Sequence, residues 1–118
     1  NGEITLNSHA LFDSGKITVA DGAVGILGDS YSASTYAGAI VDYVVYNSDR
    51  SKQRTGTVTV TANTTTVRHS ELVTTDIGTD TDGMIITTTI GSGNFRVNMD
   101  NDSGAYVDVI YNIRLLKI

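Results

Sequence analysis

The chain has 118 residues, with 13 Asp and Glu against 8 Lys and Arg, a formal net charge of −5, and no cysteine, tryptophan or proline. That length suits one domain, 1–118, with its own hydrophobic core; the acidic balance excludes the basic stripe of a nucleic-acid surface, and the missing thiols exclude disulfides and zinc–thiolate sites. No apolar run approaches the roughly 20 residues of a membrane-spanning helix, so neither nucleic acid nor membrane is an expected partner.

Threonine and valine are abundant and tyrosine is the commonest aromatic, a composition that crowds a helix but sits well on a pleated sheet. In chain order, Glu3 to Leu6 and Gly15 to Ala20 are predicted short strands. The glycine-rich stretch DGAVGILGDSYSAST, 21–35, has no helical period and reads as a loop with at most a brief strand at Val24 to Leu27. Gly38 to Asn47 is apolar on both faces, the pattern of a central strand covered on both sides. The segment RTGTVTVTA alternates cleanly, placing Val58, Val60 and Ala62 inward and Thr57, Thr59 and Thr61 outward. A turn and one or two short strands follow in TTTVRHSELVTT. GMIITTTIG and NFRVNMD form a predicted hairpin about GSGN, with Phe95, Val97 and Met99 on one face. The last strand, in GAYVDVIYNIRLLKI, has Val107, Val109, Tyr111, Ile113 and Leu115 as its inward set.

Turn signals about every 8–12 residues suit a sandwich or barrel. The expected fold is all-β: an antiparallel, jelly-roll-like β-sandwich of about eight strands, with 1–37 the less sharply patterned part. Strand edges without proline need charge, bulges or a partner chain to protect them, a first pointer to an oligomer. The chain opens on Asn1 rather than methionine and is expected to be a piece of a longer protein. GAIVDYVVYN and GAYVDVIYN echo one another, and each carries an aspartate, Asp42 or Asp108, in an apolar strand. Both carboxylates are expected on a face that meets solvent or a neighbouring subunit.

Candidate chemistry is sparse. Asp80 and Asp82 in DTDG, and Asp100 and Asp102 in DNDSG, offer the oxygen ligands calcium prefers, but neither segment has the EF-hand spacing. Asp, Asn and Gly are also the residues that hairpin turns favour, so the clusters are read as turns and no metal or cofactor is expected. His9 and His69 each adjoin a serine, Ser8 and Ser70, without the nucleophile elbow of a hydrolase. No catalytic residue is assigned, and the chain is not expected to be an enzyme. Tyr31 and Tyr36, in the 21–35 loop and just beyond it, are the candidate binding residues, because tyrosine offers a ring with a polar tip.

Arg50, Lys52 and Arg54 crowd into YNSDRSKQRTGTVTVTA, on the connection between two predicted strands. The cluster is small for a polyanion site, and its expected task is to guard a strand edge by repulsion. The order in this stretch carries a resemblance: a strand from Ile40 to Tyr46, a short charged loop, Arg54-Thr55-Gly56-Thr57, a polar run from Glu71 to Thr81, and a last strand from Ala105 to Arg114. It resembles a β-sandwich domain of tailed-bacteriophage virion proteins, often C-terminal in tail fibres, tailspikes or head-decorating proteins. The segment 21–35 does not map onto that pattern.

The resemblance implies a virion location and a structural role in a homo-oligomer, a trimer in fibres, together with other virion proteins and a host surface glycan or protein. It implies that Arg54 pairs with Asp42 or Asp108, and that Gly56 permits a bulge or a close approach. Tail fibre or tailspike is the leading reading. A capsid decoration protein and a carbohydrate-binding module of a secreted bacterial protein are the alternatives.

Overall fold

Nine strands build the computed structural model among the residues it describes: 4–6 (backbone), 10–74, 76–78 and 83–118. They are β1 (Ile4–Leu6), β2 (Ala10–Val19), β3 (Ala23–Ser32), β4 (Tyr36–Tyr46), β5 (Gln53–Ala62), β6 (Val67–Val73), β7 (Met84–Gly91), β8 (Asn94–Asn101) and β9 (Val107–Lys117). All pairings are antiparallel, in a six-stranded sheet of order β1-β2-β9-β4-β5-β6 and a three-stranded sheet of order β3-β8-β7. No helix occurs among the described residues. The small sheet lies against one face of the large one, β3 touching β2 and β7 touching β6, so the fold is a β-sandwich of unequal layers.

Alternation decides what fills the space between the layers. Val107, Val109, Tyr111, Ile113 and Leu115 of β9 are all buried, as expected, and so are Ala39, Val41, Tyr43 and Val45 of the neighbouring β4. Val58 and Val60 of β5 are buried beside them, with Ala62 half-buried at the end of the strand. Leu27 of β3, Met84 and Ile86 of β7, and Phe95, Val97 and Met99 of β8 close the core from the small sheet. Each such aliphatic side chain contributes about 1.5–3 kcal/mol on leaving water. The two echoing segments belong to β4 and β9, which lie side by side at the centre of the large sheet.

Tyrosines and glycines share one row of the inner face. Gly15, Tyr111, Tyr43 and Gly56 are successive cross-strand neighbours on β2, β9, β4 and β5. A Cβ on Gly56 would stand 2.6 Å from the Tyr43 ring, and one on Gly15 would stand 2.5 Å from the Tyr111 hydroxyl. Each ring therefore lies over a glycine that has no side chain to displace it. Gly56 thus serves the close approach, not a bulge, since the β4–β5 register runs without a slip.

The first third departs from expectation. Ala23–Ser32 is a full strand, although its glycines suggest a loop. Pairing with β8 supplies the ladder, with a register slip between Leu27 and Tyr31 where Gly28 adopts a φ of 78°. That left-handed position is open to glycine at little cost. It lets Tyr31 fold back over Gly28 and donate its hydroxyl to the Asp13 carboxylate at 2.8 Å. β2 also starts five residues earlier than the predicted Gly15, at Ala10.

Buried polar groups at the β8–β9 connection are matched. Asn101, fully buried, donates to the Val19 and Ala105 carbonyls at 2.9 and 2.8 Å and accepts from the Ser103 amide and hydroxyl. This amide holds the DNDSG turn. An amide left unmatched there would cost about 1–3 kcal/mol.

Candidate functional site

Most side chains singled out in the sequence serve the fold. Tyr31 is only 5% exposed, its ring 5.9 Å from Phe95 and 6.3 Å from Tyr36. It belongs to the core and is not presented from a loop, because β3 is a strand and turns it inward. Tyr36 opens β4 half-buried against it. Burial and the hydrogen bond to Asp13 push the Tyr31 phenol well above its usual range. Burial, then the bond that the Tyr43 hydroxyl donates to Glu71, does the same for Tyr43.

Arg54 points into the sandwich. Its Nε donates to the Tyr43 hydroxyl at 3.2 Å, its guanidinium lies 5.9 Å from that ring's centroid, and a terminal nitrogen donates to the Met84 carbonyl of β7. Arg54 therefore ties the two sheets together. The expected pairing with Asp42 or Asp108 is not made, because both aspartates point to the opposite face. Asp42 accepts from Thr57 at 2.8 Å, and Asp108 accepts from Thr18 at 2.5 Å. Nor does the basic cluster guard an edge: the hairpin joins β4 to β5, which are flanked on both sides within the sheet. Arg50, at a φ of 60°, bonds the Gln53 carboxamide and shapes the turn.

Asp80, Asp82, Ser8 and His9 lie outside the described residues. Asp100 occupies the outward side of β8 between Val24 and Ile85, while Asp102 starts the following turn. Among the described residues no three acidic or histidine side chains gather as a metal site. His69 Nδ1 is 2.8 Å from the Thr88 hydroxyl, bridging β6 to β7.

What the structure adds is a surface. The outer face of the large sheet, turned away from the small one, carries a shallow trough of about 680 Å3. Its floor comes from Phe12 of β2, Val44 of β4 and Ile110 of β9, and Asp42, Thr57 and Asn112 stand beside them. The register sets the rows. Lys16, Ile110, Val44 and Thr55 form one, and Ser14, Asn112, Asp42, Thr57 and Leu72 the next. Phe12, Arg114, Ile40, Thr59 and Ser70 form a third. Tyr46 closes one end, with the Lys16 ammonium and the Arg50 guanidinium each 6.0 Å from its ring centroid. Ile110 is 47% exposed and Leu116 43%.

Sequence reasoning missed Phe12, Lys16, Val44 and Ile110 as members of one surface. The available signal was the two-sided apolar pattern of the β4 segment, read as cover by the chain itself. Asp42 and Asp108 do lie on this outward face, the first exposed and the second half-exposed.

No protein-family model matches the chain, and no curated protein does. Among solved structures it is similar to the tailspike protein of Acinetobacter baumannii phage AM24, with a TM-score of 0.52 and 10% identity over 92% of this chain. A weaker likeness, TM-score 0.45 and 6% identity over 98% of this chain, is to the tailspike gp49 of Acinetobacter baumannii bacteriophage Fri1, described as a capsular polysaccharide depolymerase. The chain spans 26% and 21% of the length of those two proteins. At such identity the AM24 likeness is one of fold.

Proposed function

We propose that this chain is a non-catalytic structural domain of a tail-associated phage virion protein of the tailspike type. The observation that carries the reading is the fold likeness to the AM24 tailspike, which takes in 92% of this chain and about a quarter of that one. A sandwich of this size within a longer spike suits a module that holds or caps the assembly. Resemblance in the stretch from Ile40 to Arg114 to phage virion sandwiches supports the same reading independently, and the tail origin of the structural neighbour favours tail over head.

In this role copies of the chain assemble as a homotrimer alongside other virion proteins, and the finished spike meets a glycan or protein of the host surface. Arg54, Gly56 and Tyr43 act as the internal frame. Arg54 joins the sheets and Gly56 seats the tyrosine ring. Asp42 and Asp108 belong to the outward face, where assembly takes place.

Immunogold electron microscopy with antibodies against the domain tests the location on phage particles that carry the protein. Labelling at the tail is expected; labelling spread over the head would overturn the tail reading in favour of a decoration protein. For the non-catalytic part, the purified domain incubated with capsular polysaccharide is expected to release no reducing ends.

A further inference from the structure

We infer that the outer face of the six-stranded sheet is the surface on which a second copy of this chain packs. The inference deepens the reading of the chain as an assembling domain, and rests on it for the identity of the partner.

The central strands supply the first argument. A strand apolar on both faces is one buried on both faces, whereas a strand with one face in water alternates apolar with polar. β5 follows the second rule: Val58 and Val60 point inward, Thr57, Thr59 and Thr61 outward. β4 breaks it, with Ile40, Val44 and Tyr46 outward around Asp42, and β9 beside it adds Ile110 and Leu116 among Asp108, Asn112 and Arg114. Among the described residues no second layer of strands covers them, since the small sheet packs on the other side.

Area and charge select the occupant. Strands about 4.8 Å apart, about ten residues long at about 3.3 Å each, give the five long strands of the large sheet a face of about 800 Å2. That matches the roughly 800 Å2 per partner of a stable protein–protein interface. The three-stranded sheet, for all that it exposes Val24, Ile26 and Ile85, offers only about half as much by the same spacing. Charges of both signs share the large face: Lys16 and Arg114 lie within a row or two of Asp108 and Asp42. An acidic or basic macromolecule would meet like charge there, while another copy of this chain, whose surface carries both signs, can set a charge of opposite sign against each. Trough and flanking apolar rows then become the dry centre, and the threonines of β5 part of the rim.

The test reads solution mass by light scattering across about 1–200 µM, on the wild-type domain and two variants, with circular dichroism to verify folding. Wild type is expected to reach an integral multiple of the 12.5 kDa chain. Ile110→Lys should reduce it to monomer or weaken association at least about tenfold. Ile85→Lys, at a side chain equally exposed (48%) on the other sheet, should leave the assembly intact. If Ile110→Lys loses its fold, Leu116→Lys on the same face is read in its place. A wild-type monomer throughout the range overturns the inference, as does an Ile110→Lys protein that stays assembled or an Ile85→Lys protein that dissociates equally. Tail labelling of virions is independent of this result, so the interface can fail while the tail reading stands.

Discussion

Ile110 and Ile113 sit three residues apart on the same strand and have opposite environments. Ile113 is fully buried between the sheets; Ile110 is 47% exposed on the far side of the same sheet. One face of the large sheet is a close-fitted core in which tyrosines lie over glycines. The other is an apolar trough edged by threonines and by charges of both signs. The difference teaches that apolarity alone does not define a core: the inner face is specified by fit, the outer by composition without a second layer among the described residues.

The widest gap between the faces should appear on truncation to alanine. Ile113→Ala opens a cavity at the centre of the sandwich and should cost about 2–5 kcal/mol, read as a fall in the urea midpoint with an unchanged slope. Less than about 1 kcal/mol would mean that the inner face repacks freely, and the contrast would dissolve. Next comes Gly56→Ala. Its new methyl would stand 2.6 Å from the Tyr43 ring, and shifting that ring strains the contacts to Glu71 and Arg54. A loss of about 1–3 kcal/mol is expected, with partial recovery when Tyr43→Leu removes the ring from the same protein.

Much of the inner face was legible in the residues. Valine–threonine alternation placed β5, and the odd-numbered set of β9 fell inward as read. Continuing the β5 alternation backwards from Val58 through Gly56 reaches Arg54, so the inward course of that side chain was written there too. Charge drew attention to Arg54 instead, and the partner sought for it was an aspartate on the wrong face. β3 was not legible, because its ladder comes from β8, some seventy residues away, and local glycine signals outweighed a pairing that no window can contain. Tyr31 followed from the same omission: its inward course depends on the register slip at Gly28. The outer face was visible as a pattern in β4, while its neighbours Phe12 and Ile110 were joined to it only by strand order.

Titration sharpens the contrast from the inside. Tyr31 and Tyr43 are buried and hydrogen-bonded to Asp13 and Glu71, which raises both phenols above their ordinary value of 10. The folded protein keeps these protons where the unfolded chain releases them. Stability is therefore full below pH about 10 and falls as pH rises past it, by about 1.4 kcal/mol per pH unit for each tyrosine. Thermal melts between pH 9 and 11 should show the decline, and Tyr43→Phe should make it shallower at a lower starting stability. A flat profile would mean that the rings titrate freely in the folded state.

The smallest effect is expected where the outer face stands alone. At concentrations that keep the chain monomeric, Ile110→Ala removes a half-exposed side chain with no layer above it, and should change stability by no more than about 0.5 kcal/mol. Self-association through this face adds a second, concentration-dependent contribution, because any partner that binds only the folded chain stabilises it by mass action. Wild-type melting temperature should then rise with protein concentration while that of Ile110→Ala stays nearly level, the two curves meeting at high dilution. Ile113→Ala, by contrast, should lie below wild type at every concentration. Parallel curves for Ile110→Ala and wild type would make the outer face an ordinary solvent-exposed surface, and the two isoleucines would differ in burial alone.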